Sequence, residues 1–323
     1  RQSLLKTLWE FSRPHTMIGT AIAIPAMGVF AAPPGVLPGR QFFLAMIWAM
    51  VPSLLINVYV TGLNQITDVE IDQVNKPNLP IPAGHLSPKA AKGTVALCLV
   101  VGMVLGLMPS SLGSPGLALT VLLSVLIGSA YSLPPLRLKR FPQLAALCVL
   151  VVRGSIINGG FYAHAQAAAY GLATKRTAWE ALSFPLRDAK CALALAYFTV
   201  FAVVIALMKD VPDVAGDRKF NIPSFSVVLG EERLFAFARR LLTALLWGTS
   251  ASLGFGARKA LEAGLRGIAV SRGSVALAAL ACGQKVRMRA REVNPKRPDH
   301  VTKFYMFLWK IFYVSYVFLP LAR

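Results

Sequence analysis

Long apolar runs, interrupted repeatedly by proline and glycine, leave this chain few ways to fold. They cover about residues 16–32, 42–66, 90–108, 116–133, 143–168, 191–208, 234–255 and 303–321, with a weaker candidate at 261–283. Roughly twenty apolar residues let a helix cross the hydrocarbon of a bilayer. None of the runs alternates with a period of two, and lipid admits only helices or closed barrels. Breaks at Pro33-Pro34-Gly35, Pro109 to Pro115, Pro134-Pro135 and Pro223 separate the runs. The expected fold is all-α, a polytopic membrane protein of about nine transmembrane helices.

Composition serves to exclude the alternatives. A length of 323 residues suits two soluble domains, but 55% hydrophobic content, 15% charged content and a mean hydropathy of +0.58 do not. The formal charge of +20 raises the question of nucleic acid. The basic residues are divided among loops, without a recognition motif, and suit anchoring on anionic membrane lipid; no nucleic-acid partner is expected. Cys98, Cys148, Cys191 and Cys282 lie far apart inside apolar runs and read as small hydrophobes. Residues 1–12 form a short amphipathic segment suited to the membrane surface, and 284–302 a basic loop. The chain starts at Arg1 without Met, as expected if a targeting segment has been trimmed. Placing the N-terminus on one side returns the connections after spans two, four, six and eight to that side. These hold most of the Lys and Arg, as the positive-inside rule requires.

Two of those connections carry acids. Asn64, Asp68 and Asp72 follow one another at four-residue steps at the end of the second span, which places all three on one face of a helix. Asp213 and Asp217 repeat the step after the sixth span, beside Lys209 and Asp210. Of 14 acidic residues in the chain, six fall in these two stretches (Asp68, Glu70, Asp72, Asp210, Asp213, Asp217). Paired carboxylates one turn apart repel unless a cation lies between them. Oxygen ligands with one amide suit Mg²⁺, which reaches substrate phosphates through one or two carboxylates. The bland reading, a solvated helix end, accounts for one such cluster better than for two.

Facing each other at one polar mouth, the two clusters make a metal site for a diphosphate, with Lys76, Arg137, Lys139, Arg140, Lys209 and Arg218 to neutralise it. The apolar interior then takes an isoprenoid tail, and the rings of Tyr59, Tyr131, Phe161 and Tyr162 either face an allylic cation or pack the helices. Arg153, about ten residues into the fifth span, is costly in a bilayer. It binds an acceptor carboxylate or the diphosphate, or makes an internal salt bridge. Asn57 and Asn158 are pocket donors or helix-to-helix contacts, and His164 is structural. An ion- or proton-coupled transporter stays open as another class, although transporters place such polar groups at the midplane rather than at span ends.

NQITDVEID with KPNLPIPAG, YSLPPLRLKRF and KDVPDVAGDRKF resemble the signature blocks of the UbiA superfamily of intramembrane aromatic prenyltransferases. FSRPHTMIGT, GLNQITDVEIDQVNKPNLP, LAALCVLVVRG, SFSVVLG and FYMFLWKIFYVSYVFLPL are similar to plant and cyanobacterial homogentisate phytyltransferases. The solanesyl-transferring sister group shares YSLPPLRLKRFP and VVRG. The resemblance implies one prenyltransferase domain over 1–323, a helix bundle around a central cavity, in a chloroplast envelope or thylakoid membrane. It implies Mg²⁺-dependent transfer of a phytyl group from phytyl diphosphate to homogentisate with loss of CO₂, an electrophilic aromatic substitution; homogentisate solanesyltransferase is the alternative. It assigns Asn64, Asp68 and Asp72 to one Mg²⁺ arm and Asp213 and Asp217 to the other. Tyr131, Arg137 and Lys139 match the diphosphate-binding stretch, Lys76 a basic position, and Arg13 the Arg-Pro pair before the first helix. Between Gly254 and His300 an Arg- and Gly-rich stretch departs from the group, leaving the limits of the eighth span open.

Overall fold

A computed structural model describes residues 3–172 and 177–322, and among them it is helical throughout, with no strand. The order is α1 (Leu4–Phe11), α2 (Pro14–Phe30), α3 (Arg40–Thr67), α4 (Val69–Asn75), α5 (Pro88–Leu107), α6 (Pro115–Ser132), α7 (Pro142–Leu150) and α8 (Ile157–His164). There follow α9 (Ala178–Arg187), α10 (Ala189–Asp210), α11 (Val214–Lys219), α12 (Phe225–Leu229), α13 (Glu231–Glu262), α14 (Arg266–Arg291) and α15 (Pro298–Phe318). A π-helical turn at Val151–Ile156 joins α7 to α8, and a second follows at Ala165–Ala169. Several starts are written locally. Ser87 and Ser114 cap α5 and α6 by accepting from Ala90 and Leu117, each ahead of a proline at the first helical position.

Six of these helices are long and apolar enough to cross a membrane: Arg40–Thr67, Pro88–Leu107, Pro115–Ser132, Pro142–Ala169, Ala189–Lys219 and Pro298–Ala322. Pro14–Phe30, at 17 residues, is a shorter apolar helix. The expectation of about nine spans is therefore approximate. The remaining pair, α13 and α14, pack along each other beyond a turn at Gly264, whose φ is +75°. Their cations, among them Arg239, Arg240, Lys285 and Arg287, keep them below the hydropathy of the rest. The basic loop expected at 284–302 is shorter than predicted, because α14 continues through Arg291 and α15 begins at Pro298. Arg, Lys, Ala and Met are all good helix formers, so charge there marks the end of the apolar stretch, not of the helix.

In lipid, helices associate through close packing and small residues rather than through the hydrophobic effect. A Cβ on Gly116 would press on the Gly160 carbonyl and one on Gly160 would collide with Thr120, so α6 and α8 touch backbone to backbone. The main core gathers Phe198, Phe201, Trp309, Phe312 and Tyr316 from α10 and α15, with the Phe198 and Tyr316 rings stacked 4.1 Å apart. His164 sits in this packing, bonded to Ser114 and the Ala45 carbonyl, which is the structural role expected for it.

Candidate active site

The two acid stretches occupy two interrupted helices. Helix α3 closes at Thr67, Asp68 takes φ −118° and ψ 18°, and α4 restarts at Val69. The run from Asn64 to Asp72 is thus bent, not the single straight helix face predicted. In the second arm Pro212, which has no N–H to donate, sits in a 3₁₀ turn (Val211–Asp213) between α10 and α11. The arms meet. The Asn75 Oδ1 accepts the Gly216 N–H at 2.8 Å, and a Cβ on Gly216 would run into the Asn75 amide. Lys76 Nζ donates to both oxygens of Asp213, at 2.6 and 2.5 Å.

Below this junction lies a cavity of about 1160 Å³. Its wall includes Arg13, Asn57, Asn64, Asp68, Asp72, Lys76, Tyr131, Arg137, Lys139, Arg140, Arg153, Lys209, Asp213 and Asp217, nearly all of the residues singled out from sequence. Asn158 is one exception. It is fully buried away from the cavity, donating to the Arg153 and Gly154 carbonyls and accepting from the Tyr316 hydroxyl, because the widened helical turn leaves those carbonyls to be satisfied. Of the four aromatics proposed for the cation, Tyr131 and Phe161 line the cavity. Tyr59 is bonded to Ser129 and Tyr162 to Asp188, both in helix packing. Asn57 is on the wall and also ties α3 to α2, bonding Thr16 and Thr20. Arg218 is not on the wall.

The mouth is densely charged. Lys139 Nζ stands 2.7 Å from Asp68 Oδ1 and donates to Thr67 Oγ1, with Arg137 Nη2 3.4 Å from the same carboxylate. Asn64 Nδ2 donates to the other Asp68 oxygen at 3.0 Å. Lys209 Nζ donates to the Tyr131 hydroxyl at 3.1 Å and lies 3.7 Å from Asp210. Burial lowers the pKa of Lys139, against the pull of Asp68. Burial drives Asp72 the other way, up to about 6 despite Lys76 and Arg13 nearby.

The donor set fits a hard divalent cation. It is made of oxygens only, and the buried Asp72 Oδ2 has no hydrogen-bond partner among the described residues, as a carboxylate lobe built for an ion would. The carboxylates are not drawn into a tight group: among the described residues no three of His, Cys, Asp and Glu stand close enough to close on an ion. The ammonium groups of Lys76 and Lys139 lie on the oxygens of Asp213 and Asp68, so a metal there requires both lysines to withdraw.

Several wall residues had no signal in the sequence. His15, Tyr305 and Trp309 form an aromatic corner, with the His15 ring 5.0 Å from Trp309 and 6.1 Å from Tyr305. They come from opposite ends of the chain, and no spacing rule links them. Asp210 had a signal, its place beside Lys209 and Asp213, but stands a turn before the repeated step.

Comparison with known proteins agrees with this geometry. Residues 21–311 match the UbiA prenyltransferase family. The chain is 37% identical to a probable homogentisate phytyltransferase 1 of Oryza sativa subsp. japonica, over 99% of this chain and 74% of the relative. It is 35% identical to the homogentisate phytyltransferase of Synechocystis sp., over 98% of this chain and 96% of that one. In fold it superposes on a UbiA homolog from Archaeoglobus fulgidus bound to GPP and Mg²⁺ with a TM-score of 0.59, at 13% identity, covering 97% of this chain and 99% of the other. With the helical bundle, the paired acid arms and the family match in one frame, the chain belongs to the UbiA prenyltransferase family.

Proposed function

We propose that this membrane-embedded aromatic prenyltransferase transfers a phytyl group from phytyl diphosphate to homogentisate, releasing pyrophosphate and CO₂. We place it in a chloroplast envelope or thylakoid membrane, a reading supported by the Oryza sativa relative, which is named as chloroplastic. The observation that carries the reading is the meeting of two carboxylate arms and four cations at the mouth of an otherwise apolar chamber.

In this reading Asn64, Asp68, Asp72, Asp213 and Asp217 hold Mg²⁺. When bound, that ion would offset the negative charge of the diphosphate and make it a better leaving group. Lys76, Arg137, Lys139 and Lys209 contact the diphosphate directly and stabilise the negative charge that grows as the C–O bond breaks. Arg140 and Arg13 add positive charge at the rim. Tyr131, its hydroxyl held by Lys209, presents its ring to the allylic carbon; a ring face stabilises a cation in a site free of water. The wall formed by Val121, Ile127, Phe161 and Ile205 shelters the tail and keeps water from capturing the cation.

The test is transfer from phytyl, geranylgeranyl and solanesyl diphosphates to radiolabelled homogentisate in membranes carrying the chain. Phytyl transfer that needs Mg²⁺ is the expected result. Preference for the solanesyl donor would move the assignment to plastoquinone-type chemistry, and ion flux in liposomes without transfer would replace it with transport.

A further inference from the structure

We infer that Arg153 is the receptor for the carboxylate of the aromatic acceptor, at a position of its own in the chamber that also takes the diphosphate; this rests on the prenyl-transfer reading above. The residue sits on the π-helical turn Val151–Ile156, where the Ile157 N–H reaches back to Val152 instead of to residue 153. Such turns are rare and concentrate at functional positions. This one is held open by Asn158, which donates to the Arg153 and Gly154 carbonyls, and is pressed against α10, since any Cβ on Gly154 would collide with Thr199.

The guanidinium faces the cavity and lies over the Trp309 ring, 4.8 Å from its centroid. No carboxylate of the described residues lies within ion-pair reach of it. A permanent charge on a helix inside the bilayer, stacked but not neutralised, is expensive unless an anion comes to it. The diphosphate has its own cations in Lys76, Arg137, Lys139 and Lys209, which stand on Asp213, Asp68 and Tyr131. Arg153 stands over Trp309, whose ring meets those of His15 and Tyr305 on the cavity wall. An aromatic corner next to one planar cation matches a flat ring bearing one carboxylate, which the guanidinium fork can hold by two parallel hydrogen bonds. Contact with the Trp309 ring holds the guanidinium in place before the ligand arrives. Homogentisate, a dihydroxyphenylacetate, has this form.

The test measures equilibrium binding to the 323-residue chain in nanodiscs, with Mg²⁺ present, for wild type, Arg153→Gln and Arg153→Lys. The probes are radiolabelled homogentisate, its carboxylate-free analogue methylhydroquinone, and pyrophosphate. The expected result is a loss of homogentisate affinity of about 10- to 100-fold in Arg153→Gln, the size of a lost charge-assisted pair. Arg153→Lys should recover part of it, and pyrophosphate and methylhydroquinone binding should change less than about 2-fold. Retained pyrophosphate binding shows that the variant is folded. Unchanged homogentisate binding, or a loss confined to pyrophosphate, overturns the assignment while leaving the prenyl-transfer reading standing. Failure of the wild-type chain to bind either homogentisate or pyrophosphate overturns that reading, and this one with it.

Discussion

At the scale of single residues, the proposed metal would compete with fixed ammonium groups for the same oxygens. Asp68 and Asp213 are each already engaged by a lysine. Replacing either with Ala should lower phytyl transfer by at least about 100-fold, because several kcal/mol of charge stabilisation leaves with the ion. Product assay at saturating Mg²⁺ checks this, and near-normal turnover in Asp68→Ala would refute the metal assignment. Asp72 behaves differently. Its buried carboxyl is pushed up to about 6, so its protonated form favours the fold below the ordinary carboxylate pKa of 3.8, and that contribution is lost as pH rises through about 6. The charged form that holds a cation prevails only above the same pH. Mg²⁺ with pyrophosphate should therefore raise the melting temperature more at pH 7.5 than at pH 5.5, and Asp72→Asn should flatten that difference.

At the scale of elements, the arms work as a pair because α4 and α11 are latched through Asn75 and Gly216. Gly216→Val should push the arms apart and reduce activity about tenfold or more while leaving far-UV circular dichroism unchanged; equal activity would show that the latch is dispensable. The junction between α6 and α8 is of another kind. Gly160→Leu forces a side chain against Thr120 in the bundle interior, and overpacking of that sort costs roughly 1–3 kcal/mol. A lower melting temperature in detergent is the expected readout.

What the sequence disclosed at this scale follows from where the information lies. The four-residue steps of Asn64, Asp68 and Asp72 and of Asp213 and Asp217 are local, and so were readable. The bend at Asp68 was not, since nothing in TDVEID breaks a helix as Pro212 does. The sequence left Asn158 open between pocket donor and helix-to-helix contact, because its work, satisfying two carbonyls of a π-helical turn and accepting from Tyr316, depends on backbone geometry with no sequence signature. The corner of His15, Tyr305 and Trp309 joins α2 to α15 and exists only once the bundle closes.

For the whole molecule, apolar runs fixed the helices to within a few residues, and the charged hairpin of α13 and α14 was where hydropathy misjudged the architecture. That hairpin runs beside α10 and α15, so its turn lies at the end remote from the mouth, where Ser271 also bonds the Leu321 carbonyl near the C-terminal end. Cysteines introduced at Asn78, Asn221 and Asn294 should then react with an impermeant maleimide from one face of sealed vesicles. Cysteines at Ser110 and Gly264 should react from the other. Labelling of Asn78 and Asn221 from opposite faces would separate the two arms and dismantle the site.

The wall of the chamber carries as many cations as carboxylates: Arg13, Lys76, Arg137, Lys139, Arg140, Arg153 and Lys209 against Asp68, Glu70, Asp72, Asp210, Asp213, Asp217 and Asp299. A vessel that starts electrically even, sunk in oil, resists taking in an anion by itself. If the proposed reading holds, a diphosphate donor would enter together with a cation. On the proposed reading, Mg²⁺ held by the carboxylates would tip this even balance to positive, so the anionic donor should bind more tightly with the ion than without it.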